Sequence, residues 1–144
     1  YNIPNFGDFF FVRGGKSIDS KERFLGINYF LEEELSYVVA SQALECYGDT
    51  KPDFVISHEC PASLIHHVAG FSTYYGKPIL PSLTANLLQH MFEIHKPKFW
   101  CFGHHHTTFI SKSENVHFIC LPILGYIDLK ENFTDLNVPV NVFK

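Results

Sequence analysis

A chain of 144 residues, 46% hydrophobic and 18% charged, is about one domain long and carries enough apolar content for its own core, which excludes a disordered chain. Its net charge of −4, from 11 Lys+Arg against 15 Asp+Glu, comes without a basic run. Neither a grip on nucleic-acid phosphates nor binding to an anionic membrane surface is expected from that balance.

Asp8 to Arg13 is an aromatic and β-branched run that stops at Gly14-Gly15, the pattern of a buried strand and a turn. From Leu31 the apolar positions Leu35, Val38, Val39 and Cys46 recur at helical spacing. Glu32, Glu33 and Glu34 fall in the first turn, where the helix dipole favours anions, and Gly48 is placed to end the helix. Lys51-Pro52 breaks the chain before Phe54-Val55-Ile56, a run suited to a strand buried on both faces. Residues 59–81, with Pro61, Gly70, Gly76, Pro78 and Pro81, read as a long functional loop. A second helix starts near Ser82 or Thr84, buries Leu87, Leu88, Met91 and Phe92, and stops at Lys96-Pro97. Phe99-Trp100-Cys101-Phe102 is another buried strand. Thr107 to Ser111 and Val116 to Leu121 form a hairpin turned by residues 112–115, and Tyr126 to Leu129 suggests one more strand. No linker divides the chain, so residues 1–144 are taken as a single α/β domain.

The apolar runs are far shorter than the roughly 20 residues of a membrane-spanning helix. Cys46, Cys60, Cys101 and Cys120 are widely separated, with no Cys-x-x-Cys pair. They are expected to be reduced structural thiols in a cytoplasmic protein.

Two segments share one plan. Residues 51–58 and 96–104 each run from a Lys-Pro break through a buried strand to a histidine, His58 in the first and His104 in the second. Ligands of open α/β sheets bind beyond the carboxyl ends of such strands, and imidazole is a common ligand for transition metals. His106, two residues beyond His104, is spaced to aim to the same side while His105 points elsewhere. His66, His67, His90, His95 and His117 are assigned surface, helix-terminal or structural places. Gly14-Gly15-Lys16-Ser17 ends like a phosphate-binding loop but has Phe10 where that motif needs glycine. Ser57 lacks the turn of a serine nucleophile, and Asp19 and Arg23 are spaced for a local ion pair.

Ser57-His58-Glu59-Cys60-Pro61 and Gly103-His104-His105-His106, each after a buried strand, resemble the last two motifs of the calcineurin-like metallophosphoesterases. The stretch from Phe11 to Arg23, leading into Glu33-Glu34-Leu35-Ser36, is similar to a subgroup met in phage and bacterial sequences. The resemblance spans roughly residues 9–129. It implies a two-sheet sandwich flanked by helices and a site for two divalent ions, of Mn, Zn or Fe type. His58 and His104 would bind one ion and His106 the other.

The Asp-x-His, Gly-Asp-x-x-Asp and Gly-Asn-His motifs of that family do not occur here. The chain therefore looks like the carboxyl-terminal half of the family domain. At most one ion is expected, with a phosphate or phosphoester as ligand, slow or absent hydrolysis, and no assignable catalytic residue. Half a sandwich also suggests a homo-oligomer or pairing with an absent amino-terminal half. The competing reading is a non-catalytic metal-binding or self-associating module.

Overall fold

The computed structural model describes residues 1–17, 22–68 and 80–127, and the backbone of residues 141–142. Asp19 of the expected ion pair, Gly70, Gly76 and Pro78 of the expected loop, and residues 128–129 of the expected last strand lie outside the described residues.

The architecture is α/β. Strands β1 (Asn2–Ile3) and β2 (Gly7–Val12) precede helix α1 (Tyr37–Thr50). Strand β3 (Phe54–Ser57), the short helix α2 (Ile65–Val68), α3 (Leu83–Ile94) and β4 (Phe99–Phe102) follow. The hairpin β5 (Phe109–Ser113) and β6 (Val116–Cys120) comes next, then β7 (Gly125–Tyr126) and β8 (Asn141–Val142). Six strands form one sheet in the order β1-β2-β3-β4-β6-β5, and β7 pairs with β8 in a separate two-stranded ribbon. Strands β2, β3, β4 and β6 are mutually parallel, while β1 and β5 run antiparallel at the two edges. No helix among the described residues is long and apolar enough to cross a membrane.

The pleat sorts the strand residues onto two faces. Val12, Val55, Trp100, Phe102, Phe118 and Cys120 share one core cluster with Ala40, Tyr47, Leu88, Met91 and Phe92 of α1 and α3. Both helices therefore cover the same face. The other face carries Phe9, Phe54 and Phe99, opposed across three strands and stacked, with ring centroids 4.5 and 5.4 Å apart. These rings form a second cluster with Phe6 and Ile56.

The second helix keeps the expected buried face, with Ser82 as its cap: the Ser82 hydroxyl accepts from the Ala85 N–H at 2.9 Å. The first helix differs. Leu31–Glu33 is a separate 3-10 turn, Glu34 is extended, and α1 begins only after Ser36, whose hydroxyl accepts from the Val39 N–H. The cause is tertiary. Glu34 accepts a hydrogen bond from the Leu83 N–H, and the Leu35 N–H donates to Thr84 Oγ1 at 3.5 Å, which ties this stretch to the start of α3.

Helix α1 consequently buries Ala40 and Tyr47, flanked by Ala43 and Leu44, and leaves Val38, Val39 and Cys46 exposed. Gly48 does not end it. Its missing side chain faces Ile94 of α3, and the helix closes at left-handed Lys51 before Pro52. All four cysteines are free thiols, and three of them are buried.

Tyr47 is fully buried, donates its hydroxyl to the His95 carbonyl at 3.0 Å, and has its pKa pushed well up by burial. A tyrosine whose folded pKa is raised stabilises the fold fully below the unfolded value of about 10. That contribution is lost as pH climbs above it. At pH 7 Tyr47→Phe should cost about 1 kcal/mol, the net worth of one hydrogen bond. The gap to wild type should narrow in urea unfolding at pH 9 and 10.5; a gap constant with pH would contradict the burial of this hydroxyl.

Candidate functional site

Register delivers the site. Phe9, Phe54 and Phe99 stand side by side, so β2, β3 and β4 exit at nearly one level. The exits carry Gly14-Gly15, His58-Glu59 and the Gly103 to His106 turn. They are laced by backbone hydrogen bonds from the His58 N–H to the Val12 carbonyl and from the Gly103 N–H to the His58 carbonyl, both 3.1 Å.

At this rim His104 Nδ1 and His58 Nε2 lie 3.0 Å apart, with ring centroids 4.9 Å apart and the planes near perpendicular. His104 is buried, and His58 is exposed at one edge with part of its ring covered. Burial, then the neighbouring His106, lower the His58 pKa, and Glu33 raises it by a lesser amount. The strand ends at Phe102, before the histidines, so strand alternation does not orient them. A turn does: His104 and His106 both adopt left-handed backbone, φ 65° and 53°. Such a conformation costs of order 1–3 kcal/mol per non-glycine residue and is found where the surroundings hold it in place.

The three predicted ligands are not equally placed. His58 and His104 are brought together, whereas His106 is exposed and couples to His58 and His105 through charge. Among the described residues no group of three His, Cys, Asp or Glu is arranged to hold a metal ion. The 3.0 Å contact between the two rings is a hydrogen bond, one nitrogen donating and the other accepting. Two nitrogens each about 2.0–2.1 Å from a common tetrahedral ion stand about 3.3 Å from one another. An ion held by His58 and His104 would have to replace that hydrogen bond.

His105 does point elsewhere. Its Nε2 approaches Cys60 Sγ at 3.4 Å, and its ring meets Phe102 edge-on. Burial lowers its pKa to about 4, with His58 and His106 adding to the shift, while burial pushes the Cys60 thiol up. The two therefore form a neutral thiol–imidazole contact rather than a reactive thiolate. His66, His67 and His90 are exposed. His95 closes α3 with Nε2 2.9 Å from the Pro52 carbonyl oxygen, and His117 packs on Phe99.

Two carboxyl groups at the rim escape a sequence-based reading. Glu59, next to His58, is buried, and its pKa rises to about 7, chiefly through burial. Ser82 donates to Glu59 Oε2 at 2.6 Å, so the cap of α3 also holds the loop that carries His58. From beneath, the Trp100 indole N–H donates to Ser57 Oγ at 2.9 Å, and the Ser57 hydroxyl donates to the Glu59 carbonyl at 2.6 Å. Glu33 is fastened by Ser17 at 2.7 Å and by the Phe30 N–H at 3.1 Å. The signal for Glu59 is its place beside His58; the sequence places Glu33 only in a first helical turn and in the Glu33-Glu34-Leu35-Ser36 stretch, not at the rim.

Gly15 completes the wall. A Cβ there would stand 3.1 Å from both Glu59 Oε2 and His58 Cδ2, so glycine lets the loop after β2 close against the rim.

Comparison with protein-family models and with curated protein sequences gives no match for this chain.

Ser82→Ala removes a helix cap, typically worth 0.5–2 kcal/mol, and the buried partner of Glu59, about 1–3 kcal/mol. Urea unfolding at pH 7 should show a combined loss of about 2–3 kcal/mol. A loss below about 0.5 kcal/mol would mean that this network does not hold the rim.

Proposed function

We propose that His58 and His104 form a divalent transition-metal site for a phosphate or phosphoester, in a chain of metallophosphoesterase type that turns over slowly or not at all by itself. The observation that supports this reading is the 3.0 Å approach of two ring nitrogens at the exits of adjacent parallel strands. Beyond the sequence resemblance, no other finding names the family.

The chain's own residues divide the work. His58, with its lowered pKa, is a neutral lone-pair donor near pH 7. His104 is fixed by the turn after Gly103, and its Nδ1, now hydrogen-bonded to His58 Nε2, would serve as the second donor. A divalent ion bound there supplies charge neutralisation for a phosphoryl group. His106, exposed two residues beyond His104, is the third nitrogen donor that the resemblance offers.

Elemental analysis of protein loaded with Mn²⁺ or Zn²⁺ and then desalted should find bound metal. The His58→Ala, His104→Ala double variant should retain none. Equal metal in both would sink the assignment.

Hydrolysis of an aryl phosphate by the metal-loaded chain should fall well below the ordinary enzymatic range of roughly 1–10³ per second. Neither a bridging carboxylate nor a proton donor to the leaving group is assigned. General acid assistance alone is typically worth about 10²–10⁴-fold. Metal-dependent turnover inside that range, abolished by His104→Ala, would show that other residues complete the site.

A further inference from the structure

Phe24, Leu25, Ile27, Phe30, Leu31 and Tyr37 follow one another along a single stretch of chain, and each is between 47% and 78% exposed. Single apolar side chains scattered over a surface are ordinary, but a run of large ones marks an interaction site. The exposure is not that of a loose loop. The Gly26 N–H donates to the Tyr29 carbonyl at 2.8 Å, and the Ile27 and Asn28 N–H groups donate to the Phe24 carbonyl, both at 3.1 Å. Asn28 Oδ1 accepts from the Phe24 N–H at 2.7 Å, and Gly26 supplies the positive φ of 80° inside the turn. The turn spends its polar groups on itself and leaves Phe24, Leu25 and Ile27 to solvent.

Beside this knob is a groove of about 510 Å³, with Leu31, Leu35, Tyr37, Val39 and Leu83 as its apolar lining. Leu31 follows Ile27 by four residues, at most about 14 Å of chain. Knob and groove therefore share one surface. The knob does not fill its own groove, because its side chains stay exposed.

Area and charge decide the occupant. A whole aromatic side chain buries about 150–250 Å², so Phe24, Phe30 and Tyr37 at their observed exposure present roughly 400 Å² of apolar surface together. A standard interface takes about 800 Å² from each partner, a little over half of it apolar. The three rings come close to that requirement, and Leu25, Ile27 and Leu31 complete it. The charges around the patch, Arg13 and Arg23 against Glu22, Glu32 and Glu34, nearly balance. Such a patch selects no strongly acidic or basic partner and can face its own copy without net repulsion.

We infer that residues 24–39 form the surface through which this chain pairs with a second copy of itself, the Phe24 to Ile27 turn of each seated in the groove of the other. A two-fold axis sets knob against groove twice, the reciprocity that an isologous contact requires. The pairing does not use the histidine rim, so it stands or falls apart from the phosphoester reading.

Sedimentation of the metal-free chain from low micromolar to near-millimolar concentration should show a monomer–dimer equilibrium, with Kd in the micromolar range or tighter. Ile27→Ser on the turn and Tyr37→Ser in the groove should each weaken the dimer about tenfold or more, since each removes an apolar contact twice per dimer. Ile94→Ser is the control, at the far end of α3 from Leu83 and about 16 Å along the helix. It should leave the equilibrium unchanged. All three positions are exposed, so none of the substitutions opens the core. A monomer at every concentration overturns the proposal and leaves the patch to a different partner. A dimer that neither Ile27→Ser nor Tyr37→Ser weakens, or that Ile94→Ser weakens as much as they do, has its interface elsewhere and overturns it equally. Weakening by only one of the two overturns the pairing of turn with groove.

Discussion

The in-register pairing of β2, β3 and β4 is the constraint on which the rest depends. Phe9, Phe54 and Phe99 are locked opposite one another, so the residues that follow each strand emerge together. A slip of one residue would turn Val55 and Trp100 away from α1 and α3 and carry His58 away from His104. The stacked phenyl rings on one face and the Trp100, Phe92 and Phe118 contacts on the other oppose such a slip from both sides. The same side chains that make the core therefore also set the geometry of the rim.

How far the sequence discloses this can be argued from particular residues. The two parallel strands ending in histidine are visible because a continuous apolar run after a Lys-Pro break has few alternatives. The face of α3 is visible because its period and its Ser82 cap agree. Helix α1 is misjudged because local signals conflict with a distant partner. Leu31 to Glu34 has the composition of a first helical turn, but Glu34 is held by the Leu83 N–H and Leu35 by Thr84. Both partners are 49 residues away. Once that stretch is extended, the helix starts later and turns Ala40, Ala43, Leu44 and Tyr47 inward in place of Val38 and Val39. That second stripe has the same helical spacing, so periodicity alone does not choose between them.

The candidate site divides along similar lines. The approach of His58 to His104 follows from strand plan and parallel order, both legible from sequence. The position of His106 does not, because the chain leaves the strand before reaching it and then follows two left-handed residues. A period-two rule ceases to apply at the first turn. Glu59 and Glu33 reach the rim through hydrogen bonds to Ser82 and Ser17, which are tertiary and carry no signature in either segment.

The electrostatics of the rim have one sense throughout. Burial is the largest influence on His58, Glu59, Cys60 and His105, lowering the bases and raising the acids. Each group is thereby moved toward its uncharged form. A cluster of several titratable groups would otherwise repel itself or bind stray counterions, and here it is kept nearly neutral near pH 7. Neutral imidazoles retain their lone pairs, and Glu59, with its pKa at about 7, is only partly ionised there. The same desolvation would strengthen any pairing of opposite charges at the rim relative to water.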